Sequence, residues 1–107
     1  MIYISHPYTG KEEENKADAE KIAVELAKKY PEKFFINPIA VMKHEAVAGR
    51  SYKAILDNCL KLLGHCHSVI FCKGWQGSKG CMAEYGYAVA KELLIYKSVE
   101  EFEKNFF

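Results

Sequence analysis

The feature that most restricts the fold is a short apolar run near the middle of the chain, Ser68 to Cys72. It has the length of a strand, contains no charged residue and shows no regular alternation of polar and apolar positions. Such a run is typical of a strand buried on both faces, as in parallel sheets covered by helices on either side. It therefore favours an α/β fold.

The segments around this strand alternate as such a fold requires. Ala19, Ile22, Leu26 and Tyr30, for example, recur at helical spacing and form one apolar stripe. The pattern predicts strands at 1–5, 34–36, 68–72 and 93–96 and helices at 11–30 and 52–64. It predicts a loop at 74–80 followed by a helix to about 91, and a last helix that is capped by Ser98 and ends near 105. We therefore predict one three-layer α/β domain over residues 1–107, with a parallel sheet of four to five strands and right-handed crossovers.

Polar residues predict where several of these helices begin. Thr9 and Glu12 have the spacing of a capping box, which predicts Thr9 as the cap of the first helix. Ser51 and Ser98 are suitable N-caps for the second and the last helix. The region from Ile39 to Arg50 is ambiguous, with one loose helical turn and a loop at Gly49 as the expected structure.

Composition excludes several classes of protein. About half of the 107 residues are apolar and the net charge is +1, so we expect no nucleic-acid polymer as partner. No apolar stretch approaches the roughly 20 residues of a membrane span, and the start lacks the pattern of a secretory signal. We therefore expect no membrane partner and a cytoplasmic location.

Four cysteines could form disulfides or bind a metal. In a cytoplasmic chain Cys59, Cys66, Cys72 and Cys81 are better interpreted as free buried thiols. The triplet 65–67, His-Cys-His, has no partner at zinc-site spacing. We therefore expect no metal and no cofactor.

Ligands of open parallel sheets bind outside the carboxyl ends of the strands, which directs attention to the loops after strands one, two and three. The third loop has glycines at 74, 77 and 80 and delivers Ser78 to the start of a helix. Backbone N–H groups there, at Ser78, Gly80 and Gly77, would bind an anion. The alternative is that Ser78 only caps the helix and the glycines only permit a turn.

Two carboxylates are candidates for catalysis. Glu84 lies in the first two turns of the helix after this loop, where it would suit a nucleophile or a base. It could also be a solvent-facing residue helped by the helix dipole. Asp57 could share acid and nucleophile duties with it, but Lys53 and Lys61 at i−4 and i+4 favour simple surface ion pairs.

Four further residues are candidates for contact with a carboxylate or a ligand. The Tyr3 hydroxyl could reach a carboxylate at the strand ends, although a core tyrosine is the alternative. His6 and Tyr8 in the first loop could stack on a base or contact a sugar. The alternative is that they are loop residues with no contact to a ligand. Trp75 could form an aromatic wall of the pocket or a lid packed on its own loop.

Taken together, the motifs YISHPYTG at the start, NPI after the second strand, Asp57 and GWQGSKGCMAEYGYAVA near the end resemble the nucleoside 2-deoxyribosyltransferase-like superfamily. The likeness is greatest to its small bacterial and phage branch, related to nucleoside 5′-monophosphate N-glycosidases, and it covers almost the whole chain. It implies a flavodoxin-like, Rossmann-like fold and cleavage or transfer at the N-glycosidic bond of a nucleoside or (deoxy)nucleoside 5′-monophosphate. It also implies Glu84 as nucleophile, oriented by Tyr3, with Asp57 assisting the leaving base.

Position 78 bears on the substrate within this resemblance. Transferases of free nucleosides tend to carry Asp there, whereas relatives that hydrolyse nucleoside 5′-monophosphates carry Ser, as this chain does. The resemblance further implies a homodimer or higher oligomer. Two departures, His6 in place of a small residue and His67 in place of an Asp, favour an alternative function as a non-catalytic nucleotide-binding or sensing module.

Overall fold

A four-stranded sheet forms the centre of the protein, as seen in a computed structural model that describes residues 1–106; Phe107, the last residue of the predicted domain, lies outside them. The strands are β1 (Ile2–Ser5), β2 (Phe35–Ile36), β3 (Ser68–Phe71) and β4 (Leu94–Tyr96). All three pairings are parallel, and the spatial order is β2-β1-β3-β4. Every residue of β3 is buried, as the apolar run predicts.

Six α-helices surround the sheet in the described chain: α1 (Glu12–Lys29), α2 (Pro38–Val41), α3 (Lys43–Val47), α4 (Tyr52–Leu63), α5 (Lys79–Ala90) and α6 (Val99–Glu103). Two 3₁₀ turns lie at Trp75–Gly77 and Lys104–Phe106. The predicted parallel α/β architecture is therefore confirmed, with four strands and a Rossmann-like arrangement of layers.

Each face of the sheet has its own apolar core, because side chains alternate between faces along a strand. On one face Tyr3 and Phe71 pack with residues of α4 and α5, among them Leu63. On the other face Ile4 packs with residues of α1 and α6, among them Phe102. The three layers are thus α4 and α5, the sheet, and α1 and α6.

Serine caps fix the starts of three helices. The side chains of Ser51, Ser78 and Ser98 accept hydrogen bonds from the backbone N–H three residues later, at 3.0 to 3.2 Å. Each cap pairs a donor that the helix itself leaves unpaired.

The predicted cap at Thr9 is wrong. α1 begins at Glu12, and its N-cap residue, Lys11, makes no side-chain capping bond. Gly10 has a φ of 102°, which turns the chain between Thr9 and the start of the helix. Glu12 instead accepts a hydrogen bond from the Gly10 backbone N–H at 2.9 Å.

The ambiguous region after β2 forms two short helices, α2 and α3, rather than one turn and a loop. Pro38 occupies the first turn of α2, where its fixed φ and missing N–H carry no penalty. The buried Glu45 of α3 accepts two hydrogen bonds from the Asn58 amide of α4, at 2.8 and 3.1 Å. No helix within residues 1–106 is both long and apolar enough to span a membrane.

Candidate active site

The carboxyl ends of β1 and β3 form the place where this sheet can bind a ligand. The chain winds outward from β1 in both directions, to β2 on one side and to β3 on the other. Such a reversal opens a crevice at the strand ends in doubly wound sheets. Ser5 ends β1 at this edge, and α5 begins above it after the loop that follows β3.

Glu84 is the charged residue at the centre of this edge. Although it is a carboxylate, only 6% of its surface is exposed. Its Oε1 accepts a hydrogen bond from Ser5 Oγ at 2.7 Å, and its Oε2 accepts one from the Tyr3 hydroxyl. Tyr3 and Ser5 are two residues apart on β1, so both side chains leave the same face of the sheet and reach α5. The predicted contact between Tyr3 and a carboxylate at the strand ends is thus present.

Burial controls the titration of these groups. Loss of solvent raises the pKa of Glu84 above its ordinary value of 4.5, while the hydrogen bonds from Tyr3 and Ser5 act in the opposite direction. Burial and the charge of Glu84 raise the pKa of Tyr3 well above 10.0, so the phenol stays protonated and remains a donor.

The pH dependence of stability follows from the Glu84 shift. Because the pKa is higher in the folded than in the unfolded state, the folded protein binds the proton more tightly at low pH. This stabilisation is complete below the ordinary pKa of 4.5 and is lost as pH rises through the folded pKa. Relative to wild type, Glu84→Gln should therefore gain unfolding free energy with rising pH, by about 1.4 kcal/mol for each unit by which the pKa is raised.

Urea denaturation of both proteins between about pH 4 and pH 8 measures this difference directly. A difference that stays constant over this range would show that Glu84 titrates as an ordinary solvated carboxylate.

A cavity of about 390 Å³ lies beside Glu84. Its volume is within the range of sites for small molecules, roughly 300 to 1,000 Å³. The loop after β1, the first turns of α1, α4 and α5, and both short helices α2 and α3 form its walls. The apolar part of the lining consists mainly of Pro38, Ile39, Met42, Ala46, Val47, Ile55 and Leu56. The polar and charged part includes His6, Tyr8, Thr9, Glu13, Lys16, Lys43, Tyr52, Ser78 and Glu84.

The structure brings most of the predicted site residues to this cavity. His6, Tyr8, Ser78, Gly80 and Glu84 line it. Tyr3 is fully buried behind the lining and contacts the site through Glu84.

The remaining three predicted residues, Asp57, Gly77 and Trp75, are not among the described residues of the lining. Asp57 lies on an exposed part of α4 and pairs with Lys53, whose Nζ is 3.0 Å from Asp57 Oδ2. The ion-pair alternative weighed for this residue is therefore realised with Lys53. Its role toward a leaving base stays a prediction from the resemblance.

Trp75 belongs to the apolar core rather than to the cavity wall. Its ring lies 4.8 Å from that of Phe71 and 5.1 Å from that of Tyr85, measured between centroids. Only 8% of its surface is exposed. The indole thus ties the 3₁₀ turn to β3 and α5, which places the following Ser78 at the start of α5.

His6 is fixed from both ring nitrogens. Its Nε2 lies 2.7 Å from Asp18 Oδ2 on α1, and its Nδ1 lies 2.6 Å from the carbonyl oxygen of Pro7. The side chain is 5% exposed, so the ring serves as a rigid wall of the cavity. It holds the first loop against α1 where a smaller residue would leave space.

Sequence reasoning missed Ser5 and Tyr52. Ser5 was detectable from its position two residues after Tyr3, since the two must share a face. Tyr52 begins α4 and projects across the cavity, and its hydroxyl lies so near α5 that a Cβ at Gly80 would be 3.0 Å from it. Burial and then the charge of Glu84 raise the pKa of Tyr52. Gly80 lies within α5, and its missing side chain leaves room for the Tyr52 hydroxyl.

Comparison with known proteins identifies the family but no characterised relative. No curated protein and no solved structure matches the chain significantly. One family model, described as a domain of unknown function (DUF4406), matches residues 1–97. This range includes all the residues of the site, from Tyr3 to Glu84. The chain therefore belongs to the DUF4406 family.

Proposed function

We propose that this protein cleaves the N-glycosidic bond of a nucleoside 5′-monophosphate, with Glu84 as the nucleophile. One observation carries the proposal: a buried carboxylate, hydrogen-bonded on both oxygens by Ser5 and Tyr3, borders a cavity large enough for a nucleotide. The resemblance to the nucleoside 2-deoxyribosyltransferase-like superfamily assigns the nucleophile to the same residue.

The proposed reaction has two steps. A carboxylate oxygen of Glu84 forms a bond to the anomeric carbon while the bond from that carbon to the base nitrogen breaks. The electron pair of the broken bond stays on the base, which takes a proton from solvent. Water, or the nitrogen of a second base, then displaces the glutamate from the sugar ester and gives up a proton to solvent, which restores the carboxylate. Attack requires the anomeric carbon within about 3 to 3.5 Å of the carboxylate oxygen.

The cavity lining supports a nucleotide as the substrate. The apolar side chains of α2 and α3 suit a nucleobase, and the exposed Tyr8 ring suits stacking. Ser78 uses its oxygen to accept from the Cys81 backbone N–H at 3.2 Å, and its hydroxyl, which also lies near the Cys81 thiol, can turn its hydrogen toward a phosphate. The start of α5 adds unpaired N–H groups and the positive end of the helix dipole.

A homodimer would close this site. Three large apolar or aromatic residues at the mouth of the cavity are exposed, Tyr8 by 39%, Val47 by 79% and Tyr52 by 54%. Apolar surface grouped around a pocket is typical of an interaction site. A second copy covering these residues would limit the access of bulk water to Glu84 and to the bound substrate.

The substrate proposal predicts a preference for phosphorylated substrates. Incubation with a panel of ribo- and deoxyribonucleoside 5′-monophosphates and the matching nucleosides should release free base, measured by chromatography. Charged hydrogen bonds of about 1.5 to 3 kcal/mol should favour the nucleotide by about ten- to a hundredfold in kcat/KM. Ser78→Ala should reduce this ratio, because the phosphate loses a donor.

Ser98→Ala is the matched control, since Ser98 caps α6 in the same way, on the opposite face of the sheet. It should leave unchanged the ratio of kcat/KM for the nucleotide to kcat/KM for the nucleoside. Equal turnover of nucleotides and nucleosides by wild type would contradict the phosphate assignment, and no base release from any substrate would contradict the proposed reaction.

The alternative function, a nucleotide-binding module without catalysis, is favoured by the position of Asp57. Its exposed location leaves the described cavity without the residue that the resemblance implies for the leaving base. Calorimetry distinguishes the two functions: tight nucleotide binding without base release supports the module, whereas turnover excludes it.

A further inference from the structure

Ser5 occupies a position that catalysis by Glu84 would require but that the resemblance does not assign. It is completely buried at the end of β1, where its backbone carbonyl accepts from the Cys72 N–H at 2.9 Å. This backbone hydrogen bond belongs to the sheet, so the side-chain hydroxyl is free to donate to Glu84. Since Tyr3 binds one carboxylate oxygen and Ser5 the other, the two donors together prevent rotation of the carboxylate.

Two thiols lie close to the hydroxyls of these donors. Cys81 lies against the Ser5 hydroxyl, and Cys59 lies against the Tyr3 hydroxyl. Burial raises the pKa of the Cys81 thiol and raises that of Cys59 to about 11, so both sulfurs keep their protons near neutral pH. A protonated thiol can donate to the oxygen of the neighbouring hydroxyl, which directs the hydroxyl hydrogen toward Glu84.

We propose that Ser5 is a positioning residue for Glu84, which fixes the orientation of the carboxylate through one hydrogen bond to Oε1 and favours its charged, nucleophilic form. The role in catalysis rests on the function proposed above. The effect on the charge of Glu84 does not, and it can be measured without a substrate.

The surroundings of Glu84 offer few other sources of charge stabilisation. Titratable groups face it from β1 (Tyr3), from α4 (Tyr52 and Cys59) and from α5 (Cys81), while His6, Glu13, Lys16 and Lys43 line the same cavity. The phenols and thiols are neutral at pH 7 and the lysines lie on other walls. The hydrogen bonds from Tyr3 and Ser5 therefore remain the direct support of the negative charge.

The direct test is a ¹³C NMR titration of the glutamate carboxyl groups, with Glu84→Gln identifying the Glu84 signal. In Ser5→Ala the midpoint should move to higher pH by about one to two units, the equivalent of one hydrogen bond to a charged group. Ser5→Cys, with a weaker donor of similar shape, should give a smaller shift. The acid limb of the kcat/KM profile should move upward in the same order.

Ser68→Ala is the control, because Ser68 is another buried serine, at the opposite end of β3 from the cavity. It should leave the Glu84 midpoint unchanged. An unshifted midpoint in Ser5→Ala would overturn the inference. If wild type releases no base from any substrate, the proposed function fails, and the midpoint shift alone then decides whether Ser5 supports the charge.

Discussion

Replacing Glu84 with glutamine is expected to abolish base release, lowering kcat by about 10³-fold or more. Glutamine has the shape of glutamate and can still accept from Tyr3 and pair with the Ser5 hydroxyl. The cavity and the fold should therefore be retained. The amide, however, cannot form the ester with the anomeric carbon, so only the nucleophile is lost.

Glu45→Gln is the matched control for this experiment. Glu45 is also a buried carboxylate, 7% exposed and hydrogen-bonded by a neighbouring side chain, but it is not among the described residues that line the cavity. It should keep a kcat close to that of wild type. Trapping the sugar-phosphate ester by mass spectrometry should succeed in Glu45→Gln and fail in Glu84→Gln. Base release that survives in Glu84→Gln would assign the nucleophile to another residue.

The parts of the fold that the sequence predicts are those with a repeated pattern. The apolar run at β3 and the stripe of α1 that contains Ala19 and Leu26 reflect burial against a whole layer, which imposes a period on the sequence. The helices α2 and α3 have only four and five residues, too few for a period to be recognised. Their stability depends on Pro38 and on the contact of Glu45 with Asn58, a tertiary contact that local sequence does not encode.

The parts of the candidate site that depend on local geometry were predictable from the sequence. The parts that depend on how helices pack were left ambiguous. The alternation of β1 and the position of Glu84 near the start of α5 place Tyr3 and the carboxylate at one edge of the sheet. Asp57 has a sequence environment that fits both a site and an ion pair. The choice between them depends on the rotation of α4, and that rotation is set by packing against α5 and β3.

Trp75 also could not be assigned from the sequence, because an indole in a loop can either cover a ligand or anchor the loop in the core. The structure brings it into contact with Phe71 and Tyr85. Trp75→Ala is therefore expected to lower the unfolding free energy by about 3 to 5 kcal/mol, the usual cost of deleting a buried aromatic side chain. Since small domains have only about 5 to 15 kcal/mol in total, this loss would remove a large part of the stability.

Denaturant titration of Trp75→Ala, Trp75→Phe and Tyr8→Ala separates anchoring from ligand contact. Trp75→Phe keeps an aromatic ring against Phe71 and should recover part of the stability. Tyr8 is 39% exposed and lines the cavity, so Tyr8→Ala should change stability little and weaken nucleotide binding in calorimetry. The opposite result, a stable Trp75→Ala protein that no longer binds nucleotide, would make Trp75 a lid over the ligand. We expect the larger loss of stability for Trp75→Ala because Trp75 contacts the core, whereas Tyr8 contacts the cavity.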